Sequence, residues 1–144
     1  MTATVFVQNG PTLTLLGSRE PEIYGQDTLD DIAARLTGRA KELGIAVDIR
    51  QSNHEGHLID WLHEAAAVGA KAVILNAGGY THTSIALRDA VAAIAVPVIE
   101  VHLSDPAKRE LFRHTNLLVD VCKQSITGLG AHGYILALDA AAAL

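Results

Sequence analysis

Two pairs of residues in this chain have the chemistry for moving protons. Tyr24 carries a phenol with an ordinary pKa of about 10, and a guanidinium such as Arg19 held beside it favours the phenolate and lowers that value. The pair is a candidate general base, although a loop tyrosine and a solvated arginine fit the same two positions. His102 follows the apolar run Val98-Ile99-Glu100-Val101. In a strand, Glu100 and His102 emerge on one face, where a carboxylate orients an imidazole and keeps it protonated, as a general acid requires. The other reading of His102 is a capped histidine at a strand end. Asn76, Leu103 and Ser104 offer an amide and two backbone N–H groups near helix starts, a cradle for a carboxylate. His82, just ahead of a helix, and Arg113 are further polar candidates. Each has a plainer alternative, as a residue of the helix cap and as a surface ion-pair partner.

The elements that must position these groups follow from the spacing of apolar residues. A first strand is expected over Thr4–Val7. Next comes a long ordered loop, Asn9–Gly25, broken by Gly10, Pro11, Gly17, Pro21 and Gly25, with too many turn formers to be an element. Thr28 is placed to cap a helix that has Asp30 and Asp31 in its first turn, a helical stripe from Leu29 to Leu43, and Gly44 as its stop. Strands are expected at Ala46–Gln51, Ala72–Leu75, Val98–Val101 and around Leu118–Cys122. Helices are expected at Glu55–Val68, from Ser84 to about Ile94, in a short segment reaching Phe112, and from about Gly128 to Ala142. Alternating strands and helices define a parallel α/β sheet covered on both faces, and five units in this length fit a flavodoxin-like, doubly wound, three-layer αβα fold. In that architecture ligands bind beyond the carboxyl ends of the strands. Asn9, Ser52-Asn53, Asn76 to Ser84 and His102 to Ser104 all fall there.

At 144 residues and 49% hydrophobic composition the chain has room for one core, so a single domain over 1–144 is expected. The net charge is −5 with no Lys/Arg run, which leaves no electrostatic footprint for nucleic acid or an anionic membrane. One cysteine, Cys122, cannot form an internal disulfide, and the N-terminus lacks a signal-peptide pattern, so a cytoplasmic setting is expected. Three signals are weaker than they look. Gly128-x-Gly130-x-x-Gly133 matches the dinucleotide fingerprint but has no following strand, and is read as close helix packing. His54-Glu55-Gly56-His57 is one residue short of the zinc-protease spacing, and no metal site is assigned. Thr12-x-Thr14 is similar to a flavodoxin phosphate loop, yet the chain is only 4% aromatic. A flavin-binding module is therefore the minor alternative.

Four segments in order carry a resemblance over nearly the whole chain: Asn9-Gly10-Pro11 through Arg19-Glu20-Pro21-Glu22-Ile23-Tyr24-Gly25; Gln51-Ser52-Asn53-His54-Glu55-Gly56; Asn76-Ala77-Gly78-Gly79-Tyr80-Thr81-His82-Thr83-Ser84; and Glu100-Val101-His102-Leu103-Ser104. Together they resemble the type II 3-dehydroquinate dehydratases. The resemblance implies a flavodoxin-like fold and loss of water from 3-dehydroquinate to give 3-dehydroshikimate, a step of shikimate or quinate metabolism, without cofactor or metal. It implies Tyr24 as base, Arg19 as its activator, and His102 as acid supported by Glu100. It further implies Asn76, Leu103 and Ser104 on the substrate carboxylate, His82 and Arg113 on ring hydroxyls, and Asp89 in a site completed by a neighbouring subunit of a dodecamer built from trimers. The chain departs from the family motif Asn-Gly-Pro-Asn-Leu-Asn, with Thr12 and Thr14 at the last two asparagine positions. The asparagine at the Thr12 position is the family's water-positioning residue on the enolate side. A threonine offers one donor and two lone pairs there, on a shorter arm.

Overall fold

The computed structural model describes residues 2–144. Five strands, β1 (Thr4–Asn9), β2 (Ala46–Gln51), β3 (Ala72–Asn76), β4 (Val98–His102) and β5 (Gln124–Thr127), form one parallel sheet in the order β2-β1-β3-β4-β5. This is the flavodoxin-like winding. β3 and β4 are buried along their whole length, which is why they read as apolar runs, broken in β4 only by Glu100 and His102. Helices α2 (Leu29–Leu43) and α5 (His132–Ala142) cover one face around Val5, Val7, Ile74 and Val101. Helices α3 (Glu55–Ala67) and α4 (Ile85–Ala93) cover the other, around Phe6, Val73 and Leu75.

Local sequence sets several of these boundaries. Thr28 and Asp31 form a reciprocal capping box at the start of α2, each side chain accepting from the other's backbone N–H, an arrangement worth about 1 kcal/mol. Gly44 ends that helix in the left-handed region at φ 71°. At the carboxyl edge of the sheet, Asn9 stands level with Gln51 on one side and Asn76 on the other, so three polar residues end three adjacent strands together. Gly10 then donates to the Asn76 carbonyl at 2.8 Å, and a Cβ there would lie 2.6 Å from the Ala77 oxygen. Only glycine lets the first and third loops touch at this point.

Four expectations from sequence are corrected. The stretch from Asn9 to Gly25 is not all loop: it holds a 3-10 turn, Leu13–Leu15, and a four-residue helix, α1 (Pro21–Tyr24), started by proline at its first position. The expected helix reaching Phe112 is instead two separate 3-10 turns, Pro106–Lys108 and Leu111–His114. The fifth strand is Gln124–Thr127, not Leu118–Cys122. Leu118 is fully buried as a plug in the α3/α4 core, and pairing begins only where the Lys123 N–H reaches the Val98 carbonyl. Finally, α5 starts at His132, so of the three glycines only Gly133 packs a helix against Ile126 and Val101. Gly128 and Gly130 are left-handed turn residues ahead of it.

Candidate functional site

A cleft of about 190 Å³ opens at the carboxyl edge of the sheet between the first, third and fourth loops. That is smaller than the roughly 300 Å³ at which pockets for drug-sized ligands begin, and it suits a small metabolite. Tyr24, Arg19, His102, Asn76, His82, Leu103, Ser104, Arg113 and Thr12 all line it, so the sequence candidates converge. Among the described residues its walls hold three arginines and two histidines and no carboxylate. In a chain of net charge −5, this is a local concentration of positive charge that favours an anion.

The helical turn α1 delivers Tyr24 to the cleft. The Arg19 guanidinium lies over its ring, 4.6 Å from the ring centre, and the Arg109 guanidinium lies 4.9 Å from the same centre. Both contacts are with the ring and are of cation–π type. Arg109 also donates to Ser104 Oγ at 3.2 Å, tying the Tyr24 environment to the loop after β4.

At the end of β4, alternation along the strand puts Glu100 and His102 on one face, as their spacing requires, with His102 Nε2 2.8 Å from Glu100 Oε2. Glu100 is completely buried. Burial works against its charged form, but hydrogen bonds from His102, Ser125 and Asn116 together outweigh it and hold the carboxyl below its ordinary value.

The other candidates are less free than their types suggest. Asn76 donates through Nδ2 to the Tyr134 hydroxyl at 2.9 Å and accepts the Gly78 N–H at Oδ1, which leaves one amide N–H for a ligand. Tyr134 in turn donates to Asn9 Oδ1 at 2.7 Å, and burial pushes its phenol well above the usual range, so it is a neutral strut. His82 Nδ1 lies 2.7 Å from the Thr115 carbonyl. It must carry the proton there, and Nε2 is the nitrogen left for a ligand. Arg113 is paired with Glu110 at 3.0 Å. Leu103 and Ser104 are in the cleft, but only a three-residue 3-10 turn follows them, so the expected helix start at this point is absent. Asp89 is exposed on the outer face of α4 and does not line the cleft.

Thr12 stands in the left-handed region at φ 70°, ψ −4°, with its N–H on Asn53 Oδ1 at 3.0 Å. Thr12 and Glu20 are the described non-glycine residues with positive φ, and both belong to the first loop. For a β-branched residue this conformation is strained.

Sequence reasoning missed Arg109, Asn116 and Ser125. Nothing in the local sequence distinguishes Arg109 from a surface arginine, and the other two reach Glu100 only through tertiary contact. A phenol and a carboxylate-backed imidazole lining one basic cleft can move two protons on one small anionic molecule. That defines an acid–base enzyme on a flavodoxin-like fold.

Comparison with known proteins agrees. The family model for dehydroquinase class II matches residues 3–142. The 3-dehydroquinate dehydratase of Rhizobium johnstonii is 56% identical over 142 residues, covering 97% of this chain and 96% of that protein. That of Hyphomonas neptunium is 57% identical over 141 residues, covering 98% and 94%. The crystal structure of type II dehydroquinase from Butyrivibrio crossotus superposes with a TM-score of 0.95 at 40% identity, covering 97% of each chain. The chain belongs to the class II dehydroquinase family.

Proposed function

We propose that this chain dehydrates 3-dehydroquinate to 3-dehydroshikimate, with Tyr24 as base and His102 as acid. The observation that carries this reading is the pairing of a tyrosine flanked by two guanidiniums with a buried Glu100–His102 dyad in a cleft lined by cations. The Tyr24 oxygen takes a proton from the carbon alpha to the ketone, and the C–H electrons pass to the enolate. Their return re-forms the carbonyl and makes the carbon–carbon double bond, as the beta hydroxyl leaves with its bonding pair and a proton from His102, as water. Arg19 and Arg109 stabilise negative charge at Tyr24. The remaining Asn76 N–H and the Leu103–Ser104 loop hold the substrate carboxylate, while His82 and Arg113 meet ring hydroxyls.

The reaction yields a conjugated enone, so purified protein mixed with 3-dehydroquinate should produce the enone absorbance at a rate proportional to enzyme. No rise above buffer at high enzyme concentration would remove this reading.

Thr12 occupies the position at which the family motif has an asparagine that holds a water for the enolate. Replacing a full oxyanion-side donor with a weaker one costs up to ~10²–10³ in turnover, so Thr12→Asn should raise kcat about ten-fold with a smaller change in KM. The backbone adds a second effect. Asparagine tolerates the left-handed region that threonine resists at a cost of about 1–2 kcal/mol, so the same substitution should stabilise the fold by about 1 kcal/mol. Steady-state kinetics and a melting curve check both; an unchanged kcat with a raised Tm would leave the strain argument and remove the catalytic one.

We also place the chain in a homo-oligomer, a dodecamer built from trimers, in which Asp89 completes a neighbouring subunit's site. Its exposure on the surface, outside its own cleft, supports this. Sedimentation giving only monomer at micromolar concentration would contradict it. No described helix is long and apolar enough to cross a membrane, and the lone thiol of Cys122 fits a cytoplasmic setting.

A further inference from the structure

Resting on the dehydratase reading, we infer that Asn116 is a positioning residue for the acid step: it holds the Glu100 carboxylate in the orientation from which His102 delivers its proton. The side-chain amide of Asn116 is fixed at both ends. Its Oδ1 accepts the backbone N–H groups of Leu118 at 2.8 Å and Val119 at 3.0 Å, so its Nδ2 is the end that faces Glu100. That nitrogen donates to Glu100 Oε2 at 2.8 Å, the same oxygen that His102 Nε2 approaches at 2.8 Å. Ser125, level with Glu100 across the β4–β5 pair, donates to the other oxygen at 2.7 Å.

The buried carboxylate therefore has a donor from three directions: its own strand, the edge strand, and the loop that ends in the Leu118 plug. A carboxylate so held keeps its charge and cannot rotate. His102 Nε2 is then the donor to Oε2, and Nδ1 is the nitrogen left to carry a second proton to the departing hydroxyl. Without Asn116, Glu100 keeps Ser125 and His102 but loses the contact that fixes Oε2 beside the imidazole. The base step at Tyr24 touches none of these atoms, so the two halves of the reaction should separate.

That separation is measurable. In D2O, an enolate that waits for its acid returns to substrate, and exchange of the Tyr24 proton with solvent leaves deuterium alpha to the ketone. Wild type, Asn116→Ala and Asn116→Asp are each given 3-dehydroquinate, and proton NMR follows both product and deuterium in the remaining substrate, corrected for exchange without enzyme. The aspartate variant keeps the oxygen that Leu118 and Val119 require but replaces the amide donor to Glu100 with a second carboxyl, which repels it. The ratio of exchange to turnover is a property of active molecules and does not depend on the fraction folded.

The expected result in both variants is turnover lower by about 10- to 100-fold, the weight of a hydrogen bond to a charged group. KM should stay within about three-fold and the exchange-to-turnover ratio should rise. Unchanged turnover, or turnover and exchange falling in parallel, would overturn the inference. No product from wild type would instead remove the dehydratase reading, and this inference with it, before any variant is compared.

Discussion

Tyr24→Phe should lower kcat by about 10³-fold or more while leaving substrate affinity nearly unchanged. The phenyl ring keeps the faces over which the Arg19 and Arg109 guanidiniums lie, at 4.6 Å and 4.9 Å from its centre, so the cleft wall and its charge survive. Only the oxygen is lost. A positioned general base is worth ~10²–10⁴ in rate, and no described carboxylate lines the cleft to replace it. Because the hydroxyl acts on a proton that moves only in the transition state, the loss belongs in kcat. Stopped-flow or steady-state kinetics, with equilibrium binding of 3-dehydroquinate to the variant, checks both halves. Retention of most activity would require a different base.

His102→Ala should be nearly as damaging to turnover, again by ~10²–10⁴, and should also carry a measurable but limited cost in stability. The limit comes from Glu100. Taking one partner from a buried ion pair often costs ~3–5 kcal/mol because a charge is left bare, but here Asn116 and Ser125 still donate to both carboxylate oxygens. The loss should therefore be nearer the ~1.5–3 kcal/mol of one hydrogen bond to a charged group. Denaturant unfolding beside wild type measures it. A loss above that range would mean that the two remaining donors do not compensate the charge.

Much of this architecture is legible in the chain because its causes are local. Buried parallel strands read as apolar runs, and four of the five end in the polar residues Asn9, Gln51, Asn76 and His102 at the carboxyl edge of the sheet, where Asn76 and His102 line the cleft. Helix α2 is announced by Thr28, Asp31 and Gly44, each of which satisfies backbone groups within its own turn. The period of two along β4 was enough to pair Glu100 with His102. What the chain hides is set at long range. β5 is an edge strand in which only Ile126 is buried, so it has no apolar run to read, while the more apolar Leu118–Cys122 nearby is turn structure that buries Leu118 alone completely. Helix α1 follows Glu20 at φ 40°, a conformation no propensity anticipates. Asn76 is held by Tyr134 from 58 residues away. Arg109 reaches Tyr24 only because two short 3-10 turns fold the loop after β4 back over α1.

In the proposed reaction, base and acid stand on opposite sides of one bound substrate. A crystal structure of the Tyr24→Phe variant soaked with 3-dehydroquinate tests it most directly. The expected electron density has the substrate carboxylate on Asn76 and the Leu103–Ser104 loop, the alpha carbon against the edge of the introduced ring, and the leaving hydroxyl within hydrogen-bond distance of His102 Nδ1. A substrate bound in the cleft with that hydroxyl turned away from His102, or with its alpha carbon far from the ring, would contradict it.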